Sequence, residues 1–146
     1  MTRLRALASP LVLAASALVV ACGGDDAPPP STFPSAPLVT VESRDGKLSL
    51  SMWTAPEQPP SRGIVTAKMH VTHRDKGTPA DGLRFAIVPE MPSMGHGTPT
   101  VPRTTEKGQG DYLVEDLDLF MAGRWDLLIT ITGEVTDAAV VPIDVR

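Results

Sequence analysis

From residue 38 onward, apolar and polar side chains alternate along the chain. Leu48, Leu50 and Met52 alternate with Lys47, Ser49 and Ser51, and Val65, Ala67, Met69 and Val71 alternate with Thr66, Lys68, His70 and Thr72. The same period runs through Leu83, Phe85 and Ile87, then Tyr112 and Val114, then Trp125, Leu127, Ile129 and Ile131, and finally Ala139, Val141, Ile143 and Val145. A strand turns successive side chains to opposite faces, so a period of two predicts half-buried strands rather than helices. Turn-forming clusters separate the runs, at Arg44-Asp45-Gly46, residues 55–63, 75–82 and 107–110, Ala122-Gly123 and Thr136-Asp137. About seven short strands with a turn every 8–12 residues or so predict an all-β fold, specifically an immunoglobulin-like β-sandwich.

Within this pattern Trp125 shares the phase of Leu127 and Ile129 and is expected to be the central core aromatic. Trp53 shares the polar phase of Ser49 and Ser51, which places it at a sheet edge or rim. His70 and His73 differ by an odd number of positions in one strand, so their rings point to opposite faces and do not chelate one ion together.

The N-terminal part follows other rules. Arg3 and Arg5 precede an apolar run over residues 11–20, and the small Ala21 precedes Cys22, as in a secretory signal over residues 1–21. Removing 21 residues from 146 leaves 125, the length of one domain. The apolar run is ten residues long, short of the roughly 20 that a spanning helix needs. Leu18-Val19-Val20-Ala21-Cys22 resembles the bacterial lipobox, which implies lipidation of Cys22 as the first mature residue. The acyl chains would anchor the protein on a membrane without crossing it, at about 0.8 kcal/mol per buried methylene. Residues 23–37 hold five of the 15 prolines and almost no apolar side chain apart from Phe33, so residues 22–37 are expected to form the lipidated tether. The folded unit is then residues 38–146.

Charge narrows the choice of partner. The signal carries two of the 13 basic residues and none of the 17 acids, leaving 11 bases against 17 acids and a net charge of −6. That balance, with no basic cluster, is a poor match for a phosphate backbone, and no nucleic acid partner is expected. Cys22 is the single cysteine, so the folded part has no disulfide framework and no thiolate metal site.

Residues 89–102 break the strand pattern, gathering Met91, Met94 and His96 among glycines and prolines. Two thioethers and an imidazole are soft or borderline ligands, a set that suits copper(I) better than zinc, calcium or magnesium. Gly95 and Gly97 give the backbone freedom to converge the three side chains from one loop. Met121 is either a further thioether ligand or, like Met52 and Met69, a filler of the core or its lid.

The stretch Met-Pro-Ser-Met-Gly-His-Gly-Thr from Met91, followed by Gly110-Asp111-Tyr112 and then by the run from Phe120 to Leu127, resembles the YtkA-like/FixH-like family of envelope domains. The resemblance covers about residues 60–145 and implies an immunoglobulin-like sandwich. FixH-like members are linked to cation handling around cytochrome oxidase assembly. They carry a transmembrane helix where this chain has a lipobox, which separates it from a direct role in oxidase assembly.

No serine sits in a nucleophile-elbow context, and there is no phosphate-binding loop, dinucleotide fingerprint or His-Glu-x-x-His, so no enzymatic activity is expected. Two readings remain: a lipid-anchored module that holds or passes copper(I), and a non-catalytic module that docks to another envelope protein through a sheet edge or the Met-rich loop.

Overall fold

The computed structural model describes residues 33–146, whose regular structure is entirely strand. The signal, Cys22 and most of the tether lie outside the described residues. In chain order the strands are β1 (Val39–Glu42), β2 (Leu48–Ala55), β3 (Gly63–His73), β4 (Leu83–Met91), β5 (His96–Gly97), β6 (Arg103–Gly108), β7 (Asp111–Leu119), β8 (Gly123–Gly133) and β9 (Asp137–Val145). They form a five-stranded sheet, β1-β2-β3-β7-β6, and a four-stranded sheet, β5-β4-β8-β9. All pairs are antiparallel. Without β1 and β5, the two shortest strands, the orders become β2-β3-β7-β6 and β4-β8-β9. This is the ABED and CFG arrangement of an immunoglobulin-like sandwich.

The count is nine strands where the alternation predicts about seven. The additions are short or polar edge elements. β6, Arg-Thr-Thr-Glu-Lys-Gly, has no apolar side chain and is held by its ladder to β7. A strand fixed by backbone pairing alone leaves no apolar period to read.

The predicted apolar phases do face inward. Leu48, Met52, Ala67, Met69, Val71, Val114, Leu117, Leu119, Trp125, Leu127 and Ile131 are all fully buried. Each large apolar side chain so buried contributes about 1.5–3 kcal/mol. In β7 the phase slips by one residue between Val114 and Leu117, because a bulge opposite Val65 and Ala67 absorbs the slip. Asp116, at φ +58°, is the residue in left-handed conformation there.

Tyr112 joins core packing to loop order. Its ring meets Phe85 edge-on at 4.8 Å, its hydroxyl donates to the Ala80 carbonyl at 2.8 Å, and it accepts the Leu83 amide at 3.2 Å. Burial pushes the phenol above its ordinary pKa. Tyr112→Phe leaves a buried carbonyl and amide without partners, and should cost about 1–3 kcal/mol in a urea melt. The neighbouring turn, Gln109-Gly110, has positive φ at both residues, 56° and 77°, as a type I′ hairpin requires. At Gly110 a Cβ would fall 2.4 Å from the Val71 carbonyl oxygen, so only glycine fits.

At the same end of the sandwich Asp137 is 7 % exposed, and its Oδ1 accepts the amides of Asp45 at 3.0 Å and Ala138 at 2.7 Å. The Ser43 hydroxyl is a looser neighbour, since Oδ2 has no partner at full hydrogen-bond geometry. Burial works against the charged form, but Ser43 and the backbone of Asp45, Ala138 and Lys47 outweigh it and hold the carboxyl below its ordinary 3.8. The unfolded chain therefore takes up the proton first. The stabilisation is complete above that ordinary value and is lost as pH falls through and below it. Urea melts between pH 7 and pH 3 should show a shallower acid-side loss for Asp137→Asn than for the parent.

The described residues ahead of Leu38 also make contacts. Lys68 Nζ lies 4.2 Å from the Trp53 ring centre and 5.9 Å from that of Phe33, and the Ala36 carbonyl accepts Gln58 Nε2 at 3.0 Å. Residues 33–37, assigned by composition to the tether, thus rest on the domain. Trp53 sits on the outer face of the five-stranded sheet beneath Lys68, one strand in from the edge.

Candidate functional site

The strand directions bring the connections 56–62, 92–95 and 120–122 to one end of the sandwich, since Gly63 pairs with Leu119 and Glu90 with Asp126. There the segment read as a loop over residues 89–102 is partly strand. β4 ends at Met91 and pairs with β5 through Glu90↔Gly97 and Met91↔His96, with Pro92-Ser93-Met94-Gly95 as the turn. The Met94 and Gly95 amides both donate to the Met91 carbonyl at 3.0 Å. Gly95, at φ +66°, supplies the left-handed residue that closes the turn. Gly97 has a different reason: a Cβ there would fall 2.3 Å from the Pro89 carbonyl oxygen. Beyond β5 the chain crosses to the other sheet, fastened by the Thr98 and Thr100 hydroxyls, which donate to Asp118 Oδ2 at 3.3 and 3.2 Å.

Directly opposed residues of an antiparallel pair project from the same face, with Cβ atoms about 4.5–5.5 Å apart. Met91 and His96 are such a pair. Met91 points inward, 3 % exposed, and its Cε would stand 2.9 Å from a Cβ at Gly123. The exposed His96 ring stacks on Phe120 at 6.1 Å and 12°, and Phe120 meets Trp125 edge-on at 5.5 Å. Trp125 is the buried core aromatic expected, and its Nε1 donates to the Met121 carbonyl at 2.9 Å. The hairpin is thus joined to the 120–122 turn by the aromatic stack, and Met91 packs against Gly123 at the start of β8.

The candidate residues therefore share one end of the fold but differ in access. Met94, in the turn, is 53 % exposed and His96 is exposed beside it. Met91 belongs to the core and forms the floor. Met121 is partly buried against the core, with its backbone rather than its sulfur in a defined contact. Phe120, 42 % exposed, is the residue whose part the ligand-based reading missed. An aromatic placed in a turn beside Met121, off the core phase, was the available signal.

Two other groupings emerge. Ser51, His70 and Asp111 lie in one row across β2, β3 and β7, with His70 Nδ1 and Asp111 Oδ1 2.7 Å apart. These are the residue types of a hydrolytic relay, but the Ser51 hydroxyl is bonded to Thr40 at 2.8 Å. Amides on paired strands are engaged in ladders, so the row lacks free donors for an oxyanion. His73 is separate, lining an open cavity of about 470 Å³ at the opposite end with Gly46, Lys47, Asp75, Lys76 and Val135. Among the described residues no three His, Cys, Asp or Glu side chains gather as a metal site. Compared with known proteins, the chain matches no family model, no curated protein and no solved structure.

Proposed function

We propose that this chain is a lipid-anchored cell-envelope domain that binds or passes copper(I) through Met91, Met94 and His96, with Met121 as a neighbouring thioether. The observation that carries the reading is the β4–β5 hairpin, which sets Met91 opposite His96 with Met94 in the turn between them. Soft, low-coordinate Cu(I) takes thioether and imidazole donors readily, whereas harder ions need the carboxylates this turn lacks. The anchor rests on the lipobox-like run ending at Cys22. The deciding experiment is a Cu(I) titration under reducing conditions against a chromogenic chelator. One equivalent withdrawn from the chelator supports the reading, and a titration indistinguishable from buffer ends it.

A second reading, a non-catalytic module that docks to an envelope protein, is favoured by the exposure of Met94, in the hairpin turn, and of Phe120, stacked on His96. Exposed apolar side chains around a polar group suit a protein contact. Pull-downs with and without a copper chelator separate the two: a partner retained in chelator, and lost on polar substitution of Phe120, belongs to the docking reading.

A further inference from the structure

The outer faces of the two sheets differ. On the five-stranded sheet the outward positions are mostly polar, including Ser49, Ser51, Lys68, His70, Thr72 and Asp111. On the four-stranded sheet the middle of the outward face is apolar. Val88, Leu128 and Val140 are directly paired across β4, β8 and β9, so they form one row perpendicular to the strands. They are 56 %, 38 % and 42 % exposed. Ala86, Ala138 and Pro142 flank that row on the same face. A solvated sheet face normally alternates to polar residues, so an apolar centre marks a surface that is covered part of the time.

The geometry points to a second copy of this chain as the cover, docked face to face about a two-fold axis that runs along the Val88-Leu128-Val140 row. The charges argue for this arrangement. Glu90, Asp126, Arg124 and Asp144 all lie on the side of the row nearer the hairpin end, and Arg84 lies on the other side. Rotation about the row exchanges the two sides. Glu90 then falls over Ala86 of the partner subunit, Asp126 over Thr130 of the partner subunit and Arg124 over Thr132 of the partner subunit. No acid meets an acid, and Arg84 is carried towards the partner's acidic side. An axis parallel to the strands along β8 would instead set Asp126 on Asp126 of the partner subunit and Arg124 on Arg124 of the partner subunit. An isologous contact is self-complementary in this way.

The size of the face sets the strength. Three strands spaced about 4.8 Å, each of about nine residues rising 3.3 Å, present roughly 400 Å² per copy, about half the usual share of a standard interface. The dimer is therefore weak and concentration-dependent.

Sedimentation equilibrium of the purified protein from about 10 µM to 1 mM tests the inference. The weight-average mass should rise towards that of two copies across the series, and Leu128→Lys should hold it at one copy throughout. A parent that stays monomeric at the highest concentration overturns the proposal, and so does a folded Leu128→Lys that associates like the parent. Cross-linking guards against a misfolded variant. In a Cys22→Ser background, Leu128→Cys lies on the axis and should form a self-disulfide with diamide, while Ser49→Cys on the opposite face should not. Equal cross-linking at both positions overturns the proposal. Neither readout involves copper, so the outcome is independent of the metal reading.

Discussion

Alanine at both Met94 and His96 is expected to weaken Cu(I) binding about 100-fold or more, with the urea melt displaced by less than about 1 kcal/mol. The two halves of this expectation have separate causes. Both side chains are exposed, so their removal opens no cavity, and surface changes usually stay within about 0.5 kcal/mol each. Loss of Met94 and His96 removes both exposed donors and leaves Met91, in the core at 3 % exposure, with the partly buried Met121 as its neighbour. A factor of 100 corresponds to about 2.7 kcal/mol, a modest demand on two coordination bonds. Chelator competition on parent and variant measures the first half and equilibrium melts the second. A variant with parental affinity would mean that the hairpin does not carry the site. Met91→Ala is the poorer probe, because loss of a buried methionine costs about 2–5 kcal/mol and confounds binding with folding.

The largest effect on stability should come from Trp125→Ala, at about 3–5 kcal/mol. The ring fills the core at 0 % exposure, supports Phe120 at 5.5 Å and fixes the 120–122 turn through the Met121 carbonyl at 2.9 Å. Its removal costs a large cavity, an unpaired carbonyl and the support beneath the ring on which His96 stacks. Trp125→Phe keeps most of the volume and loses the Nε1 donor. It should cost less and isolate the effect of freeing the turn. If Trp125→Ala melts within 1 kcal/mol of the parent, the aromatic stack does not join core to hairpin as described.

Much of this architecture was legible because burial leaves a period in the chain. The runs from Leu48, Val65, Leu83, Tyr112, Trp125 and Ala139 each alternate, and each is a strand with that phase inward. β6 was not legible, since Arg103–Gly108 faces solvent and its pairing with β7 is a property of the backbone. β5 was hidden within the Met-rich segment because two residues are too few to show a period. The Ser51-His70-Asp111 row was equally invisible, because its members come from three strands whose register no local pattern encodes. A proline-rich composition likewise does not reveal that Lys68 lies near the rings of both Phe33 and Trp53.

The sequence by itself determined the class of fold, the inward phase of its strands, the position of Trp125 and the short stretch that holds Met91, Met94 and His96. Alternation and turn chemistry are local, and a local code suffices for these. The tertiary structure alone decided that Met91 faces His96 across a hairpin and sinks into the core, that Phe120 lies under the imidazole, and that Val88, Leu128 and Val140 align across three strands. Each of these depends on register between segments distant in the chain, where a slip of one residue would turn every side chain to the other face.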